Sequence, residues 1–137
     1  MSKLLVNTDL LIYAIDEDSE FYTRTRQLLY DSGHELFTTS KNVCEFLAVV
    51  TRDNPPLLSI HQAVKLADEI EQNFTVLYPT ADSALILRGL LRKYQAAGRQ
   101  THDFEIVSIG LSYQIGNLAT LSGKYFRGIT EIELTAP

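Results

Sequence analysis

The side chains in this sequence that could act together are oxygen donors: Asn7 and Asp9, Glu45, Asp103 and Ser122. Glu45 is the only charged residue between Val43 and Val50, and its helical neighbours at i+3 and i+4 are Ala48 and Val49. A carboxylate in such company needs a cation, hydrogen-bond donors or an exposed margin, because burying it alone is costly. A bound metal meets that need; so does a solvated helix edge, or a pairing with Lys41 one turn earlier. Asp103 shares a helix face with Ile106, Val107 and Gly110, which turns it inward, and as the first residue of its helix it also suits an N-cap. His102 beside it is a lone loop histidine and is assigned no chemistry. The single cysteine, Cys44, excludes an internal disulfide, and three scattered histidines give no zinc spacing, so any metal is held by oxygen. Magnesium and manganese prefer such ligands. They assist phosphodiester cleavage by activating water and offsetting charge on the phosphorane. Two carboxylates balance one divalent ion, whereas a second ion demands more negative ligands than two.

These residues have to be positioned by something, and the pattern around them alternates strand and helix. Lys3 to Val6 reads as a short buried strand, because Leu4, Leu5 and Val6 run without polar alternation. Thr8 and Asp9 then suit the N-cap of a short helix carrying Leu10 to Ala14. Ser19 caps a second helix ending near Tyr30, and Glu35 to Thr38 is a second strand. Ser40 caps a helix with Val43, Phe46, Leu47 and Val50 at helical spacing, which Asn54-Pro55-Pro56 ends. Ser59 caps another, with an apolar stripe of Ile60, Ala63, Val64, Ala67 and Ile70, before a strand at Phe74 to Tyr78. A helix from about Asp82 to Ala97 has Leu85, Ile86, Leu87, Leu90 and Leu91 as its apolar face and stops at Gly98. The last helix starts at Asp103 and ends near Gly116, and strands follow at Asn117 to Thr120 and Glu131 to Leu134. Strands separated by helices require right-handed crossovers. The expected fold is therefore a three-layer α/β/α domain with a mainly parallel sheet of roughly five strands, spanning 1–137 as one domain.

In such sheets, ligands collect at the carboxyl ends of the strands. That rule selects Asn7, Thr8 and Asp9 after the first strand and Ser122 after the fourth, with Asp103 able to meet them. Composition agrees with an ordinary globular domain: 45% hydrophobic, 21% charged. The run Leu4 to Val6 is too short for a membrane span or a signal core, which implies a cytoplasmic protein with no membrane partner. A net charge of −5 argues against indiscriminate binding of polyanions. A local basic face is still available: Arg88 and Arg92 are four apart in a helix, with Lys93 and Arg99 nearby. They either meet phosphates or form a solvated helix face.

The stretch V-N-T-D-L-L-I-Y-A at Val6 to Ala14 resembles the opening of PIN-domain nucleases, which usually reads V-D-T-N. The resemblance continues through Ser19, Glu45-Phe46, Gly98-Arg99 leading into His102-Asp103, and Thr120 with Phe126, and so covers almost the whole chain. It is nearest to the short toxins of the VapC type. That resemblance implies a magnesium-dependent ribonuclease, neutralised by a small cognate antitoxin and forming a homodimer. It places the first acidic ligand on Asn7, the second on Glu45, the third on Asp103 and the fourth on Ser122; a later acid or amide corresponds to Tyr125. Asparagine and serine offer neutral oxygens but no charge to offset a cation, so metal affinity falls. Asp9 complicates this, since the usual aspartate and asparagine look exchanged between positions 7 and 9. Asp9 either contacts metal or serves as a cap.

Two functions follow. In the first, Glu45 and Asp103 hold one magnesium or manganese ion, Asn7 or Asp9 completes its shell, and Thr8, Arg92 and Arg99 contact RNA during cleavage. In the second, the fold has lost its chemistry and serves as an RNA-, antitoxin- or self-binding module. A general doubly wound nucleotide-binding domain is disfavoured, because no glycine-rich phosphate loop follows the first strand.

Overall fold

The computed structural model describes residues 2–137. Its strands are β1 (Lys3–Val6), β2 (Glu35–Thr39), β3 (Thr75–Leu77), β4 (Asn117–Ala119) and β5 (Glu133–Thr135). The helices are α1 (Thr8–Tyr13), α2 (Tyr22–Tyr30), α3 (Ser40–Thr51), α4 (Ile60–Asn73), α5 (Ala81–Tyr94) and α6 (Gln100–Ser112). All four strand pairings are parallel, in the order β3-β2-β1-β4-β5. β1 is central, which is why its side chains from Leu4 to Val6 are apolar without interruption. Leu5 packs with Phe37, Leu90, Phe104 and Leu118 on the α5–α6 side, while Leu4 and Val6 pack with Leu10, Phe46 and Val50 on the other. The period-2 alternation of one strand thus feeds two cores, and the three-layer α/β/α reading holds.

The chain winds from β1 outward through β2 and β3, then returns to β4 on the opposite side of β1. The carboxyl ends of β1 and β4 therefore flank a topological switch point, where an open sheet leaves a crevice. Asn7 and Thr120 are the first residues beyond those two ends. Across the sheet, α6 comes close to β1 at Gly110, where a Cβ would stand 2.7 Å from Leu5 Cδ2. Glycine at that position allows the approach.

Several boundaries differ from those expected. α1 is capped by neither Thr8 nor Asp9: Asn7 is its N-cap residue, without a side-chain cap bond. α2 starts at Tyr22 rather than beside Ser19, whose Oγ accepts from Phe21 N in a local turn. Thr39, not Ser40, caps α3, accepting from Asn42 N. Ser59 does cap α4, reciprocally with Gln62. α5 stops at Tyr94 with Gln95 left-handed, before Gly98 is reached, and α6 begins at Gln100, three residues ahead of Asp103, ending at Ser112 well before Gly116. β5 lies two residues later than expected at its start, since Glu131 is drawn off to α5 by Lys93 and Tyr94. The stripes are also narrower. Ala63, Ala67 and Leu90 are buried, but Ile60 (75%), Val64 (50%) and Leu85 (62%) are largely exposed.

Candidate active site

The crevice is a cleft of about 630 Å³ lined by Asn7, Thr8, Asp9, Glu45, Asp103, Ser122 and Tyr125, with Arg52, Arg99, Gln100 and His102 at its margin. Asn7 follows the end of β1, Thr8 and Asp9 open α1, and Ser122 lies in the loop after β4; α3 contributes Glu45 and α6 contributes Asp103. The two walls differ in how their polar atoms are used.

On the strand-end wall every polar side chain is engaged. Asn42, fully buried in the first turn of α3, donates through Nδ2 to Asn7 Oδ1 (3.1 Å) and to Thr8 Oγ1 (3.0 Å). Its own Oδ1 accepts from Thr39 Oγ1 at 2.7 Å, so its side chain links the ends of β1 and β2. Asn7 Nδ2 donates to Thr120 Oγ1 (3.3 Å). The carboxylate of Asp9 accepts from Leu10 N (3.0 Å), Thr120 Oγ1 (2.9 Å), Leu121 N (2.8 Å) and Ser122 Oγ (3.3 Å). Both Asp9 oxygens are therefore occupied. The residue ties the start of α1 to the loop after β4, a role distinct from capping.

On the helix wall, Glu45 and Asp103 accept no side-chain hydrogen bond and form no ion pair among the described residues. Lys41, the expected partner of Glu45, instead pairs with Glu105 at 3.3 Å. Asp103 lies one turn inside α6 and is not its cap. Burial in the cleft wall pushes the Glu45 carboxyl above the ordinary range, the negative charges of Asp103 and Asp9 push it further, and His102 and Arg52 oppose this. Asp103 is likewise raised, chiefly by burial, against the pull of His102 and Arg99. The charge of Asp103 thus reaches Glu45, and neither carboxylate is ion-paired among the described residues. Among the described residues no group of three or more His, Cys, Asp or Glu side chains is disposed to hold a metal. Two bare, mutually repelling carboxylates suit one divalent ion with oxygen ligands, and do not suit two.

Residues 4–123 match the sequence model of the PIN domain. The chain belongs to the PIN domain family. A comparison with curated proteins returns no match. Among solved structures, VapBC-1 from nontypeable Haemophilus influenzae is similar in fold, with a TM-score of 0.69 and 20% identity, covering 98% of this chain and 97% of that one. VapBC2 from Rickettsia felis, bound to a DNA fragment from its promoter, gives 0.72 and 19%, with 98% of each chain covered. Mycobacterium tuberculosis VapC20, described as a sarcin-ricin loop cleaving toxin, gives 0.71 and 16%, covering 94% of this chain and 98% of that one. At these identities the likeness concerns the fold.

Within this PIN domain, Asn7, Thr8, Asp9, Glu45, Asp103, Ser122, Tyr125 and Arg99 all meet at one cleft. Arg92 does not line it. Arg92 is exposed on α5, as is Arg88, and Lys93 is committed to Glu131 at 2.7 Å. Sequence reasoning missed Asn42, Thr39 and Arg52. The Thr39–Asn42 spacing is a cap signal that was available, one residue ahead of the Ser40 preferred, and nothing local marks Arg52. No helix among the described residues is long and apolar enough to cross a membrane.

Proposed function

We propose that this PIN domain is a toxin-type endoribonuclease that cleaves RNA phosphodiesters with one magnesium or manganese ion held by Glu45 and Asp103. The observation that carries this reading is the contrast within one cleft: every strand-end polar group has a partner, and the two helix-borne carboxylates have none. Such an ion supplies charge neutralisation at the phosphate and activation of water when bound. Asn7 presents one oxygen, already accepting from Asn42, and brings no charge. Asp9 contributes negative charge while its oxygens hold the β4 loop. Arg52 and Arg99 line the cleft and suit the RNA backbone, a role we assign to them in place of Arg92. Ser122 acts as a support for Asp9, and Thr8 as a buried brace rather than an RNA contact.

The toxin setting draws support from structural relatives described as a toxin–antitoxin complex and as a member of a family of toxin–antitoxin systems, which favours an antitoxin as partner; a homodimer and a cytoplasmic site of action are part of the same proposal. The test is cleavage of RNA by purified protein with and without manganese, repeated for Glu45→Gln and Asp103→Asn. Metal-stimulated cleavage lost in both variants is the expected result; no stimulation, with both variants like wild type, ends the proposal. A second reading is favoured by the amide at Asn7 and the hydroxyl at Ser122: a binding module with no cleavage. It predicts RNA or peptide affinity that a chelator leaves unchanged.

A further inference from the structure

Thr120 stands between Asn7 and Asp9, and a hydroxyl has a single hydrogen to donate. Asn7 Nδ2 donates to Thr120 Oγ1 at 3.3 Å, and Ser122 N donates to the same oxygen at 2.9 Å. Both lone pairs are then filled, so the Thr120 hydrogen is directed to Asp9, 2.9 Å from Oδ2 and 3.1 Å from Oδ1. The orientation of the Asn7 amide is fixed from its far side. Asn42 Nδ2 donates to Asn7 Oδ1, and Asn42 is itself held by Thr39, leaving Asn7 Nδ2 as the atom that faces Thr120. The chain of donation runs one way, from Asn42 through Asn7 and Thr120 to Asp9.

We infer that Thr120 is a positioning residue that couples positions 7 and 9 into one exchangeable unit, an amide at one and a carboxylate at the other, so that one of the two, and not both or neither, carries the cleft's third negative charge. A carboxylate at both positions presents two acceptors to one hydroxyl hydrogen and adds a like charge. An amide at both leaves the NH2 at position 9 without an acceptor, because Asn7 Nδ2 and Ser122 N already fill both lone pairs of Thr120 Oγ1. The full exchange closes again. Position 7 then accepts from Asn42 and Thr120, and an amide at position 9 donates to Thr120 Oγ1 and accepts from Leu121 N. Leu10 N keeps the Asn7 carbonyl oxygen, 3.2 Å away. What the charge is for depends on the nuclease reading proposed above; how these side chains share hydrogens does not.

The test is a double-mutant cycle in thermal unfolding, in chelator and without RNA, over wild type, Asn7→Asp, Asp9→Asn and the two together. Each single substitution is expected to lower Tm by about 5 °C or more, and the pair to recover at least half of the larger loss. Asn7→Asp that fails to fold alone but folds with Asp9→Asn gives the same answer. The recovery should persist on Thr120→Ser, which keeps the hydroxyl, and vanish on Thr120→Val, where the two effects simply add. Additivity with Thr120 present, an exchanged pair no more stable than its weaker single, or equal recovery on Thr120→Val would each overturn the inference. Because no measurement here uses metal or RNA, a protein that never cuts RNA leaves the result intact. Conversely, a failed cycle leaves the nuclease proposal standing.

Discussion

The two walls of the cleft are built from the same kinds of atom and behave differently. Around Asn7, Asp9 and Thr120 each donor meets an acceptor, and such a network is rigid and expensive to interrupt. Around Glu45 and Asp103 the carboxylates are partly buried without a hydrogen-bond or ion-pair partner among the described residues, which costs the fold some stability. One wall is scaffold, and the other is the one we propose as reactive. Substitutions should separate them: changes to the first cost stability, and changes to the second cost activity while stability stays level or rises.

The largest effect is expected at Asn42. Asn42→Ala removes its bonds to Asn7, Thr8 and Thr39 from a fully buried position, and should destabilise the chain by about 2–4 kcal/mol in urea denaturation. A loss below about 1 kcal/mol would mean that this wall is not the rigid one. Next come Glu45→Gln and Asp103→Asn. Either should lower manganese-dependent cleavage about 100-fold or more. In chelator each variant should melt at or slightly above wild type, since a repulsive, partly desolvated charge is gone. The gain is a fraction of a kcal/mol at most after solvent screening.

Smaller effects distinguish the margins. Arg52→Ala and Arg99→Ala should each weaken RNA binding and reduce the magnitude of the slope of log affinity against log salt by about 0.7, while Arg92→Ala leaves that slope unchanged. An equal effect from Arg92 would place the RNA beyond the cleft. The smallest effects lie in the pH dependence. Glu45 and Asp103 hold their protons above the ordinary values of 4.5 and 3.8, so across that window the native chain binds more protons than the unfolded one. Metal-free stability contributed there falls as pH rises, and the two substitutions should flatten that slope. Glu131 has the opposite sign. Its hydrogen bonds from Lys93 and Tyr94 hold it at about 2, so its contribution is present above 4.5 and is lost as pH falls toward 2; Glu131→Gln should abolish that acid sensitivity. Calorimetric melting across this range checks both.

Much of the scaffold was legible in the sequence, because strand and helix announce themselves through local period. The apolar run at Leu4 to Val6 marked the central strand, and the lone charge of Glu45 in an apolar helix marked a carboxylate without a local partner. Glu131 was misread as strand because its partners Lys93 and Tyr94 lie 38 and 37 residues away. The stripe through Ile60 and Val64 was misread because amphipathic spacing indicates a face without saying how much of it is covered.

The sequence by itself determined the order of elements, the doubly covered parallel sheet and the set of oxygen donors brought to the strand ends, since these follow from periodicity and from the way crossovers wind. Only the tertiary structure decided which donors remain free. Asn7 meets Asn42 across 35 residues and Asp9 meets Thr120 across 111. A side chain's availability is set by the groups that reach it in space, and residue type and spacing along the chain carry no record of them.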